Sequence, residues 1–273
     1  MTAAEIEAAF LGACFAELDA LKPGNVHRFA AGHGMEVAHF ETAARAAAPA
    51  IARPGASAGA RIEAAVTASL AVTGLNTNLG ILLLCAPLAA AAERPAPLRE
   101  ALGEVLAALD MADAAAVFRA IAAASPGGLG RRADHDVSAP PTIGLLDAMR
   151  LAADDDRIAR QFVTGFADVF DIGVAGLRAR ADAAPEARTE AAYLAFLKAF
   201  PDSHIGRKFG RPTAEAVERE AREIAAGIDW HAPAAQRHPP LAAFDASLKA
   251  RGLNPGTSAD LTVASLFAAA LNP

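Results

Sequence analysis

Aromatic side chains are scarce in this sequence. They make up 5% of its 273 residues, with one Trp and one Tyr. Sandwiches and barrels rest on β-branched and aromatic runs, and no such runs stand out, which argues against both. Cysteine is nearly absent. Cys14 and Cys85 cannot build a disulfide framework and lack metal-ligand spacing. Each lies among apolar residues and is expected to pack in the core. No basic stretch or face stands out: 25 Lys+Arg stand against 31 Asp+Glu, a net charge of −6, so no nucleic-acid partner is expected. The longest uncharged apolar run, Leu79 to Ala92, contains Pro87 and falls short of the ~20 residues a membrane span needs. Glu5 and Glu7 occupy the place of a basic leader, so a cytoplasmic protein with no signal peptide and no membrane association is expected. Also missing are GxxxxGK[ST], a strand followed by GxGxxG, HExxH and GxSxG. If ATP binds, it does so without a Walker loop.

What remains is apolar and helical. Hydrophobic residues are 53% of the chain, chiefly Ala, Leu and Val. Ala and Leu lose little conformational freedom in a helix. The expected fold is therefore all-α, a single compact multi-helix domain spanning 1–273. Ile6, Phe10, Ala13 and Leu18 mark a first helix that stops at Lys22-Pro23-Gly24. A second covers Met35 to Ile51, and Ser57 caps a third that buries Ile62, Val66, Ser69 and Leu70. Another follows an Asn78 cap. Ala-rich helices cover Leu98 to Leu109 and Met111 to Ala124. Helical spacing recurs at Ile158, Phe162, Phe166 and Val169, and at Tyr193, Phe196, Leu197 and Phe200. Pro212 or Thr213 opens a further helix, and Thr257 or Ser258 opens the last. Gly127 to Pro141 reads as a loop, either a lid or a linker, and Ala232 to Pro240 as a second irregular stretch.

Polar residues gather at helix ends beside Pro and Gly in four places. At Lys22-Pro23-Gly24-Asn25-Val26, followed by Gly32-His33-Gly34-Met35, Lys22 and Asn25 could aim a cation and an amide at a phosphate. Alternatively, Lys22 and Gly24 simply end the helix. At Asn76-Thr77-Asn78-Leu79-Gly80 a capped helix N-terminus offers free N–H groups to an anion, or is only a cap. Asp202 through Gly210 places a carboxylate, His204, Arg207 and Lys208 together. Asp202 could ligate Mg²⁺ and the two cations could hold a triphosphate, or Asp202 caps a short helix beside a solvated face. In Asn254-Pro255-Gly256-Thr257-Ser258-Ala259-Asp260, Thr257 and Asp260 have the form of a capping box, which competes with a phosphate on the free amides and a metal on Asp260. Glu41 and Glu63 could face a cleft. Asp134, His135 and Asp136 lie in the Gly-rich loop, and Asp154-Asp155-Asp156 reads as a solvated helix junction.

In order and spacing these segments resemble the triphosphoribosyl-dephospho-CoA synthase family over nearly the whole chain. The resemblance implies an all-α enzyme joining ATP and 3′-dephospho-CoA with release of adenine. The pattern departs from the citrate-lyase branch of that family. That branch has Lys-Pro-Gly-Leu-Val-Asp where this chain has Asn25 and His27 in the fourth and sixth places. Asn78-Leu79 stands in place of His-Lys, and Asn254 and Thr257 replace Ser and Gly in the final motif. These departures are more similar to a branch in archaea and one-carbon-metabolising bacteria. The acceptor is then dephospho-CoA or another cofactor precursor, for example of methanofuran or tetrahydromethanopterin.

The reaction so implied has an oxocarbenium-like transition state. Asp202 and Asp260 are expected to hold Mg²⁺ or accept a proton, with His33 or His204 as the acid for departing adenine. Lys22, Arg207 and Lys208, with Gly256, Thr257 and Ser258, are expected at the nucleotide, and Asn25, Asn76 and Asn78 to orient it. Lys22 and Lys208 are two of only four lysines. A homodimer is compatible with this reading. Two further readings are an ATP-dependent kinase or ligase on a one-carbon cofactor precursor, and a non-enzymatic helical interaction module.

Overall fold

The computed structural model describes residues 1–125 and 135–272. Among them there are fourteen α-helices, one π-helical turn and no strand. The helices are α1 (Ala3–Asp19), α2 (Val37–Ile51), α3 (Ala58–Thr73), α4 (Leu79–Ala92), α5 (Leu98–Ala107), α6 (Met111–Ala124), α7 (Leu145–Ala152), α8 (Arg157–Thr164), α9 (Ala175–Arg178), α10 (Pro185–Ala199), α11 (Ser203–Phe209), α12 (Arg211–Ala226), α13 (Ala234–Ala250) and α14 (Gly256–Ala270). The π turn, Val169–Val174, runs directly into α9. The all-α expectation holds because Ala-rich faces let helices approach closely and bury surface without aromatic bulk.

The apolar run that is too short to cross a membrane is instead the central helix. Nearly every residue of α4 is buried, Leu82 through Ala89 included. It packs against α3, α5 and α14. No helix of the described residues is long and apolar enough to cross a membrane. A larger apolar core gathers α1 to α8, the π turn and much of α14. A smaller one joins Leu21, just after α1, to Tyr193, Leu197, Ile205, Val217, Leu241, Phe244 and Ala259 of α10 to α14. The flanking helices α10 and α14 contribute to both, so the N-terminus of α14 lies where the two cores meet.

Four local expectations are corrected. The Ile158-to-Val169 repeat is not one helix. Gly165 and Phe166 take left-handed φ values of 63° and 60°, and the chain resumes as the π turn, with Phe166 and Val169 still buried. Ala232 to Pro240 is mostly helical: α13 starts at Ala234 and carries Pro239 and Pro240 in its first two turns. Asn78 does not cap α4 with its side chain. Asn76 Oδ1 accepts from the Leu79 amide at 3.3 Å, while Asn78 Nδ2 donates to Ser69 Oγ. The Thr257–Asp260 capping box does not form, and no side chain of α14's own N-terminus caps it. Much of the Gly127–Pro141 stretch, with Asp134, lies outside the described residues.

Candidate active site

A cavity of about 360 Å³ opens between the ends of α1, α4 and α11, the N-terminus of α14, and α6 to α8. One side is apolar, from Leu83, Phe118, Ile121, Leu145, Met149 and Ile158. The other is polar and collects Asn25, His33, Asn76, Asn78, His204, Arg207, Lys208, Gly256 and Asp260 from all four predicted segments. The dispersed motifs thus do share one hollow.

Asp202 is not in it as a free ligand. It is 1% exposed and its two oxygens accept from the amides of His204, Ile205 and Ser258 and from Ser258 Oγ, at 2.8–3.2 Å. One carboxylate therefore caps α11 and, through space, α14. Burial pushes its carboxyl up, and the Ser258 and Ile205 donors pull it back. Its acceptor sites are filled by protein donors, so the metal and base roles expected of Asp202 do not fit. Ser258 and Thr257 are buried with it. Thr257 Oγ1 accepts from the His204 amide and shares a hydrogen bond with Ser203, so neither reaches the cavity as a phosphate ligand.

Asp260 is the opposite case. It lines the cavity one turn into α14, and no hydrogen bond or ion pair holds it among the described residues. Burial raises its carboxyl well above the ordinary range, and the charges of Asp202 and Glu17 add to the rise. Gly80 makes the space: a Cβ there would fall 2.0 Å from Asp260 Oδ2. Gly256 does the same for His204, whose Nδ1 would stand 3.1 Å from an added Cβ.

Lys22 is corrected too. It is fully buried, and its ammonium donates to Glu17 Oε1, to Asn25 Oδ1 at 3.1 Å and to Val26 O at 2.8 Å. It lies beneath the cavity wall and cannot grip a phosphate. Lys208 is exposed and lines the cavity, without an ion pair among the described residues. Arg207 pairs with Asp156, which also caps α8. His204 is held neutral, its pKa pulled down to about 3 by burial and then by Lys208, Arg207 and His33. That environment disfavours a proton on its ring and so runs against the expected role as the acid for departing adenine. His33 also lines the cavity, with a left-handed φ of 56° and Nε2 2.8 Å from Gly24 O.

Glu41 and Glu63 face no cleft. They pair with Arg28 and Arg45 and with Arg119. Sequence reasoning missed Glu17, Asn254 and the cavity-facing side of Asp156. Glu17 lay within an apolar helical repeat, and only the turn after α1 brings Lys22 back onto it. Four buried side-chain polar atoms lack a partner among the described residues, and three of them, Thr77 Oγ1, His204 Nε2 and Arg207 Nε, belong to residues lining this cavity. Buried polar groups are nearly always satisfied, so such a cluster marks a place built for a polar ligand.

Residues 3–273 match the profile of a family described as CitG, ATP:dephospho-CoA triphosphoribosyl transferase. The chain belongs to the CitG family. A solved structure from Archaeoglobus fulgidus, provisionally assigned as a triphosphoribosyl-dephospho-CoA synthase, is similar in fold with a TM-score of 0.68. It is 26% identical, over 86% of this chain and 98% of that one. No curated protein matches the chain. CitG membership makes this an ATP-dependent transferase and removes the non-enzymatic helical module from consideration. Within the CitG pattern, two positions where this chain departs from the citrate-lyase branch, Asn25 and Asn254, meet directly: Asn25 Nδ2 donates to Asn254 Oδ1 at 2.8 Å.

Proposed function

We propose that the cavity binds ATP with its triphosphate toward Lys208, Arg207 and the α11–α14 junction, and transfers the triphosphoribosyl unit to an acceptor hydroxyl. The reading rests on the unpartnered polar atoms of Thr77, His204 and Arg207, residues that line the same cavity as the Asp260 carboxylate. The hydroxyl oxygen attacks C1′ of the ribose as the bond to adenine breaks. Asp260 accepts the hydroxyl proton, and its ionised form offsets the positive charge that builds on the sugar. Burial and the neighbouring Asp202 and Glu17 charges raise the proton affinity of this carboxyl, as a proton acceptor requires. We assign His33, which lines the same cavity, the protonation of the departing adenine.

Mg²⁺ is expected with ATP, and the residues present fit it only loosely. Among the described residues no group of three or more His, Cys, Asp and Glu side chains could hold a metal. Of the two predicted ligands only Asp260 is open. Mg²⁺ in phosphate sites is commonly held by one or two carboxylates and the phosphates themselves, so a single carboxylate does not exclude it. When bound, it would neutralise charge on the triphosphate.

The acceptor is dephospho-CoA or a cofactor precursor of similar reach. Incubation with ATP and candidate acceptors tests this reading: free adenine supports it, and ADP or AMP instead supports a kinase or ligase.

A further inference from the structure

Lys22 ends with its ammonium on three acceptors, the Glu17 carboxylate, Asn25 Oδ1 and Val26 O. Three acceptors use all three of its protons, so it presents only donors to Asn25. That fixes the Asn25 amide with its oxygen toward Lys22 and its nitrogen away. Asn25 Nδ2 then donates to Asn254 Oδ1 at 2.8 Å, which fixes the second amide in the same sense. Asn254 Nδ2 has no partner among the described residues, and Asn254 lines the cavity beside Gly256 and Ala259. Without the cation, either amide could rotate by half a turn and offer its carbonyl oxygen instead, since the two ends differ little in shape.

We propose that Lys22 is a positioning residue whose ammonium sets the polarity of the Asn25–Asn254 amide chain, so that Asn254 presents N–H donors, not a carbonyl, to the substrate. The wall then selects a hydrogen-bond-accepting oxygen, of the chemistry of a phosphate or a ribose hydroxyl, and Asn254 is a binding residue for it. The Glu17–Lys22 pair is the anchor. Its Lys22 end is fully buried behind the wall and its Glu17 end lines the cavity, and it brings the end of α1 to the start of α14. This inference rests on the proposed binding of ATP.

The test measures ATP affinity, with magnesium present, and the KM and kcat of adenine release. Asn254→Asp keeps the size and the oxygen facing Asn25 but replaces the donor by an acceptor. It should weaken ATP binding about tenfold or more, in KM rather than in kcat. Asn254→Ser keeps a donor and should retain most of the affinity. Glu17→Gln with Lys22→Met removes both buried charges together, which avoids leaving one uncompensated. It should raise the KM for ATP when Asn254 is present and clearly less in combination with Asn254→Ser, which has no amide to flip. Wild-type affinity in Asn254→Asp overturns the proposal. So does an equal penalty for removing the charge pair in both backgrounds. If the charge-pair variant fails to fold, the contrast between Asp and Ser at position 254 decides alone. A wild-type protein that does not bind ATP overturns the functional reading itself, whereas binding that ignores these substitutions overturns only the amide chain.

Discussion

Two aspartates that the sequence put forward for the same roles behave oppositely at the residue scale. Asp202 has four protein donors and Asp260 has none among the described residues. Asp202→Ala would leave buried amides of α11 and α14 unsatisfied, and should cost about 3 kcal/mol or more in urea unfolding. Asp260→Asn should abolish adenine release, by ~100-fold or more, without loss of stability. Its effect on stability should also depend on pH. Because burial holds the Asp260 carboxyl well above the ordinary range, the wild type loses stability as pH rises from about 4 through that raised folded-state value. The variant does not titrate there, so its stability relative to wild type should grow with pH. Urea titrations across that range check this, and a difference that stays constant with pH would count against the assignment. The sequence could name both carboxylates. It could not rank them, because the donors to Asp202 include Ser258, 56 positions away.

Close approach between helices decides the behaviour of two glycines at the element scale. A Cβ on Gly80 would collide with the Asp260 carboxylate at 2.0 Å, and one on Gly173 would collide with Ser265 Oγ at 1.9 Å. Both substitutions crowd α14, one inside the cavity and one on its far side. Each to Ala should cost about 1–3 kcal/mol. Only Gly80→Ala should also suppress turnover per folded molecule, because it displaces the free carboxylate. Adenine release normalised to folded protein separates the two. Helix positions were largely legible from Ala and Leu spacing, as for α1, α3 and α6. The break at Gly165-Phe166 and the prolines inside α13 were not, since each depends on packing across the chain rather than on local preference.

Assembly of the cavity belongs to the whole molecule. Its walls come from both ends of the sequence, and they meet because α10 and α14 belong to the larger and the smaller core alike. Ligand that binds only the folded protein should stabilise it as one unit. ATP at about 100 times its dissociation constant should add about 2.7 kcal/mol, read as a rise of several degrees in the thermal midpoint. Asp260→Asn should retain much of that rise, whereas Lys208→Ala should reduce it.

The sequence by itself determined the helical class, the depth of α4, and the segments that would carry polar groups to helix ends. Those follow from local preference and hydrophobic spacing, which the order of residues encodes directly. Only the tertiary structure decided which polar groups would be spent on holding helices and which would stay free. Lys22 and Asp202 are consumed by partners that folding brings to them, while Gly80 leaves Asp260 room and no donor reaches it among the described residues. That division depends on distances between remote segments, and no periodicity along the chain records them.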